Sequence, residues 1–199
     1  MPRHKAYERD EVINKAMLLF WAEGFDTASI PKLEQHLGIN RYSIYDSFGS
    51  KRDLFFKALE SYTGTLVDTF VGPLESGSRG LSDLKRFFAQ LQKFFMRQEV
   101  PRGCLLCNTA IELGNRDQEI ANWVERYFDR VEKAIFNGLL RALELDEIKG
   151  DPSLFQTRAL LTRSSLQGML VDLRLGRNVR DIQRTFNAIK SFCTNGSFD

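Results

Sequence analysis

The 199-residue chain has few residues that break helices, with only 5 prolines and 14 glycines, and long stretches between them carry neither. That is the composition of an all-α protein. Long hydrophobic runs are also missing. The longest, Ala16 to Ala22, falls far short of the ~18 residues a membrane span requires, so no membrane association is expected. The first residues, MPRHKAYERDEV, are charged and lead into no apolar segment of the signal-peptide kind. Three cysteines, an odd number, make no disulfide framework, and a reducing cytoplasm is the expected location. A strong charge of one sign is absent as well. The formal net charge is +2, so any binding to nucleic acid must come from a local patch rather than a basic surface. What the chain does have is hydrophobic content of 43%, enough for a real core and too much for a disordered chain, and 16 phenylalanines to fill it.

The first fifty residues carry the clearest pattern. Between Glu11 and Glu23, the residues Val12, Ile13, Ala16, Met17, Phe20 and Trp21 share one broad helical face, and Gly24 ends that helix. Ser29 is a good N-cap for a second helix with Pro31 in its first turn, and Leu33 and Leu37 form its stripe before Gly38 stops it. Asn40 caps a short third helix in which Ile44 and Phe48 face inward. Two short helices joined by the tight turn LGIN, with Ile39 plugging the angle, make a helix-turn-helix between Ser29 and Phe48. The outward side of the third helix carries Arg41, Tyr42, Ser43, Asp46 and Ser47. A purely structural helix would show the same polar face. Ser50 then opens another helix as a capping box with Asp53. Lys51 and Arg52 stand in that helix's first turn, where macrodipole energetics disfavour cations. They read either as a solvated surface pair or, beside a helix-turn-helix, as a phosphate clamp.

Taken together, LFWAEGFDTASI and LGINRYSIYDSFGSKRDLFFKALESY strongly resemble the DNA-binding segment of tetracycline-repressor-like (TetR) regulators, over about Val12 to Tyr62. The resemblance implies an N-terminal helix-turn-helix domain, residues 1–50, followed by an effector-binding and dimerisation bundle, residues 51–199, with about nine helices in all. It implies that Tyr45, Lys51 and Ser29 hold the phosphate backbone of double-stranded operator DNA. Arg41, Tyr42 and Ser43 would meet bases, with Ser47 in the same DNA-binding set. Bidentate pairing of Arg41 with guanine suits that division. Two residues depart from the family pattern. Glu34 replaces a common small residue, so that either packing is looser or the side chain escapes to solvent, and Asp46 puts an acid on the reading helix. Residues 1–60 hold nine Lys plus Arg against nine Asp plus Glu, a balance of zero. Such a head should bind weakly alone and need a dimer. The basic arm Arg3, His4, Lys5 would touch a neighbouring groove or phosphate, or form a solvated tail.

Further helices are expected over Leu81–Gln98, Cys104–Leu113, Gln118–Leu145, Ser153–Leu175 and Val179–Cys193. By the resemblance the last two pair with those of a second subunit. Leu160, Leu161, Ser164, Gly168, Val171 and Leu175 form a stripe that suits a two-fold interface and would equally suit an internal core. Phe87, Phe88, Phe94, Phe95, Trp123, Tyr127 and Phe128 read mostly as packing, and no polar constellation among them identifies a ligand.

Cys104-Leu-Leu-Cys107 has C-x-x-C spacing, but no suitable partners for a zinc site and no βαβ context for thioredoxin-like chemistry accompany it. Buried structural thiols are the commonest explanation for cysteines in an apolar run. The segment RGCLLCNTAIEL also resembles a branch of the family with a GCL-type motif, some of whose members sense electrophiles or oxidants through a cysteine at the position of Cys104. A helix N-terminus and the nearby Arg97 and Arg102 would lower its pKa. Three functions follow: a repressor released by a small-molecule effector, a thiol-based sensing repressor, and a thiol oxidoreductase. The last lacks a recognisable base or cofactor loop, so the chain is read as no enzyme, with neither cofactor nor metal.

Overall fold

A computed structural model describes residues 7–98 and 100–195, so the arm Arg3, His4, Lys5 lies outside the described residues. Among those residues there are nine helices and no strand. α1 is Arg9–Glu23, α2 Ile30–Leu37 and α3 Arg41–Phe48. α4 starts at Lys51–Leu66, runs through a π-helical stretch, Val67–Val71, and ends with Gly72–Glu75. α5 is Leu81–Met96, α6 Leu105–Leu113, α7 Gln118–Glu144, α8 Pro152–Arg174 and α9 Val179–Asn195.

The π stretch was not legible in the sequence. Pro73 has no N–H to give and its ring crowds the preceding turn, so the helix widens there and the Gly72 N–H reaches back to the Val67 carbonyl. α4 therefore continues past the proline and ends only at Glu75.

The helix ends follow their caps. The side chains of Asn40, Ser50, Asp117 and Asp151 each accept a first-turn N–H. Ser29 sits at the N-cap position of α2, but its hydroxyl makes no capping bond. Gly38 has φ 70° and ψ 21°, the left-handed conformation the α2–α3 turn requires and glycine alone adopts without strain.

α4 joins the two parts of the molecule. Its first half packs on α1, where Phe20 meets Phe55 edge-on at 4.9 Å, and its second half enters the C-terminal bundle. There α8 lies between α7 and α9, while α5 contacts both α7 and α9. The buried apolar residues of head and bundle form one continuous cluster, from Val12 through Phe55 and Phe88 to Cys193. Each fully buried phenylalanine in it contributes about 1.5–3 kcal/mol. Nine phenylalanines are buried in this cluster and five more pack against it. No described helix is long and apolar enough to cross a membrane.

Candidate nucleic-acid interface and effector cavity

α3 sits at the surface on a fixed base. Ile44 and Phe48 are buried beneath it, while Arg41, Tyr42 and Tyr45 are exposed, Tyr42 to 78%. Its first turn is closed by two oxygens. The Asn40 side chain accepts the Ser43 N–H at 2.8 Å, and the Glu34 carboxylate reaches across the turn to accept the Arg41 N–H at 2.5 Å. Glu34 therefore neither loosens the packing nor merely escapes to solvent. It pins α2 to the start of α3, at the helix end where an acid is electrostatically favoured.

The far end of α3 is held by residues that sequence reasoning passed over. The Tyr7 hydroxyl bonds the Ser47 hydroxyl and donates to the Ser43 carbonyl. Arg9 donates to the Ser47 carbonyl at 3.3 Å and lies over the Phe48 ring. Ser47 is thus engaged within the protein, whereas Ser29 is exposed.

Lys51 and Arg52 part company. The Lys51 ammonium lies 4.4 Å from the Phe25 ring centroid and donates to the Asp26 carbonyl at 3.4 Å. Burial lowers its pKa, and Asp26 and Glu112 partly offset that. Arg52 turns inward. It makes a two-pronged bond to Asp117 at 2.6 and 2.9 Å and a third to Glu119, and these bonds raise its pKa. Of the pair read as a clamp, Arg52 is committed to Asp117, the cap of α7.

Other ties bind head to bundle. Glu112 on α6 accepts the N–H groups of Phe25 and Asp26 at 2.9 and 2.8 Å. Arg116 bonds the Asp26 carboxylate, which lowers its pKa. Arg174 of α8 donates to the Trp21 and Ala22 carbonyls at the end of α1. These contacts join residues roughly ninety or more apart in sequence, and no local pattern announces them.

Within the bundle a cavity of about 50 Å³ opens between α4, α5, α7, α8 and α9. Phe87, Phe95, Tyr127 and Phe128 line it, so four of the seven aromatics expected mostly to pack are wall residues as well. Cys104 lines it too. Gly103, at φ 63°, lets the loop press against α8, since a Cβ there would run into the Leu170 carbonyl oxygen. Cys104 follows at the N-cap position of α6. Burial pushes its thiol up, but the Cys107 thiol and N–H, the Tyr62 hydroxyl and the Leu106 N–H outweigh that and bring it down to about 7. The Tyr62 hydroxyl donates to the sulfur at 3.6 Å. The direction is the one expected at a helix N-terminus, yet the work is done by neutral donors rather than by Arg97 and Arg102, and Arg102 lies against the Trp21 ring. The Cys107 thiol is pushed up, first by its bond to Cys104 and then by burial. Burial also pushes Cys193 up to about 12.

The stripe on α8 faces outward. Leu160 and Leu161 are 41% and 43% exposed, Ser164, Gly168 and Leu175 are exposed, and nothing lies within 4 Å of where a Cβ on Gly168 would stand. The opposite side, with Phe155, Ala159, Thr162, Leu166 and Met169, forms the internal core instead.

Comparison with known proteins agrees with this architecture. Residues 12–58 match the profile of bacterial regulatory proteins of the tetR family, and residues 80–189 that of a tetracyclin repressor-like C-terminal domain. The chain is 32% identical over 151 residues to YezE of Bacillus subtilis, described as an uncharacterized HTH-type transcriptional regulator, covering 76% of this chain and 78% of the relative. It is 25% identical to the HTH-type transcriptional repressor ComR of Escherichia coli, over 92% of this chain and 87% of the other. A cysteine mutant of the TetR family regulator CifR, solved with 26-bp double-strand operator DNA, has the same fold, with a TM-score of 0.82 at 21% identity over 94% of this chain and 98% of that one. The chain belongs to the TetR family of bacterial regulatory proteins.

Proposed function

We propose that this helix-turn-helix transcriptional regulator is a cytoplasmic repressor that binds a two-fold-related operator as a homodimer and lets go when a small molecule fills the bundle cavity. The exposed α3, capped at its start by Asn40 and Glu34 and bearing Arg41 and Tyr42 outward, carries this reading. The head of residues 1–50 reads DNA, and residues 51–199 pair the subunits and hold the effector. Arg41, Tyr42 and Ser43 meet base edges in the major groove. Tyr45, Lys51 and Ser29 contact the phosphate backbone, and Ser47 joins the DNA contacts once its hydroxyl leaves Tyr7. The repressor names of relatives such as ComR favour repression over activation.

Dimerisation uses the open stripe of α8, from Leu160 to Leu175, together with α9. Small residues at Ser164 and Gly168 allow close helix approach across a two-fold axis. Two heads held one or more helical turns apart lose register when the bundle changes shape, and operator affinity falls. α6 spans the distance between the two sites, since Cys104 before its first turn lines the cavity and Glu112 near its end holds the α1–α2 turn. Gel shifts with the protein's own promoter region test the DNA-binding reading. Binding should weaken steeply with salt and vanish in the Tyr45→Ala, Lys51→Ala double variant. Salt-independent binding, or full binding by that variant, overturns it.

A second reading, a thiol-based sensor of the GCL-type branch, is favoured by one observation: the Cys104 thiol lines the cavity with its pKa lowered to about 7. Its thiolate would add to the electrophilic carbon of an activated alkene, forming an S–C bond while the displaced π pair takes a proton from water. Operator release by N-ethylmaleimide that is undiminished in Cys104→Ser removes this trigger.

A further inference from the structure

We infer that the bundle cavity selects a compact, electrically neutral, apolar effector and rejects carboxylates, and that the ion pair between Glu132 and Arg163 sets this preference. The inference rests on the proposed role of the cavity as the effector site. The walls are almost entirely hydrocarbon and aromatic, including Leu66, Phe87, Leu91, Phe128, Leu166 and Phe186. Arg163 on α8 is the only charged residue among those lining the cavity, and it alone offers a carboxylate a counter-charge.

That charge is already taken. Nε and Nη2 of Arg163 both donate to Oε2 of Glu132 on α7, at 3.2 and 3.0 Å, and Nη1 donates to the Gln167 side chain at 3.0 Å. Both partners are only about one-fifth exposed, at 21% and 22%. A carboxylate entering the cavity would have to displace Glu132 or lie unpaired among aromatic rings, and either costs far more than the ring contacts return.

The remaining polar groups point the same way. The hydroxyl of Tyr127 is kept neutral by burial, which raises it well above the usual phenol range. The Cys104 thiol also lines the wall, and the donors around it lower its pKa, so it offers an anion no counter-charge. Outside, Arg163, Gln167 and Phe128 also border a wider recess of about 330 Å³ whose other walls carry Glu125 and Asp129. An approaching anion meets two carboxylates there. A cation drawn to that recess would still have to bury its charge beside the guanidinium of Arg163 to occupy the cavity.

Size is limited as well. The cavity of about 50 Å³ is roughly a third of the ~150 Å³ that takes a benzene ring, so even a single ring enters only as the walls give way.

The test uses the full chain and three probes of one shape: fluorobenzene, 4-fluorobenzoate and 4-fluorobenzylammonium. Binding is followed by fluorine NMR line broadening and by thermal shift, and counted only where Leu166→Phe, which fills the cavity, abolishes it. Fluorobenzene should bind, and both ions should bind at least about tenfold more weakly. Glu132→Gln, which frees the Arg163 charge, should bring 4-fluorobenzoate to within a few fold of fluorobenzene. Preference for either ion, no cavity binding of fluorobenzene, or an unchanged benzoate affinity in Glu132→Gln each overturns the inference. Should Leu166→Phe fail to fold, Val131→Phe fills the same space. Operator release is scored separately. Fluorobenzene held in the cavity while operator stays bound would defeat ligand-controlled release and leave the selectivity standing. An ion that binds in the cavity and releases operator would do the opposite.

Discussion

The Glu34 carboxylate accepts the main-chain N–H of Arg41 at 2.5 Å, so a residue of α2 caps the helix that carries the exposed Arg41 and Tyr42. With Asn40 on the Ser43 N–H, it leaves two fewer unsatisfied donors at the start of α3 and fixes the angle between the two helices.

Removing this cap should be felt in stability. Glu34→Ala should cost about 1 kcal/mol, the usual value of a lost N-terminal cap, and lower the melting temperature by about 2–4 °C. Glu34→Gln keeps an acceptor oxygen and should recover more than half of the loss. Thermal unfolding by circular dichroism measures both.

The tie between Arg52 and Asp117 should make head–bundle docking sensitive to acid. Arg52 holds the Asp117 carboxyl below its ordinary value. A depressed carboxylate pKa adds stability that is present above the unfolded value, about 4, and is lost as pH falls through the folded value. Urea unfolding should therefore show Asp117→Asn less stable than wild type at pH 6, with the difference shrinking as pH falls below about 4.

If Lys51 and Tyr45 hold phosphates, each substitution should weaken operator and random DNA alike. Lys51→Ala should reduce the salt slope of log K by about 2 for a dimer, about 1 per subunit. Arg41→Ala should instead flatten discrimination at one base pair per half-site, with a loss of about 1–3 kcal/mol. Fluorescence anisotropy with operator variants at several salt concentrations separates the two patterns.

The Cys104 thiol should react with iodoacetamide with a half-maximal rate near pH 7, in keeping with its pKa of about 7. Tyr62→Phe removes one donor to the sulfur and should move the midpoint upward. A rate that keeps rising past pH 8.5 in the wild type would contradict the hydrogen-bonding described for this thiol.

Gly168→Glu probes the proposed dimer. The space beyond Gly168 is open in one chain, so the side chain costs the monomer little, yet two copies facing each other across close-packed helices would clash and repel. Sedimentation should show a monomer of unchanged helicity with much weaker operator binding. A dimer that survives unaltered places the interface elsewhere.

Local chemistry was enough for much of this protein. The helix-turn-helix, its turn glycine at Gly38, the caps at Asn40 and Ser50 and the division into nine helices all follow from short-range patterns, because caps, turns and helical stripes are decided within a few residues. Arg41, Tyr42 and Ser43, the proposed base contacts, were visible for the same reason, as the polar side of a helix whose inward side is apolar. The helix-turn-helix between Ser29 and Phe48 could be located from sequence, but its fastening could not. That Arg52 would bond Asp117, that Glu34 would cap α3, and that Glu112 would hold the α1–α2 turn depend on groups brought together across the fold. The cavity, the charge-cancelling pair of Glu132 and Arg163, and the outward aspect of the α8 stripe are likewise products of helix packing. An amphipathic pattern says which face is apolar but not what covers it, and only the tertiary structure decides that.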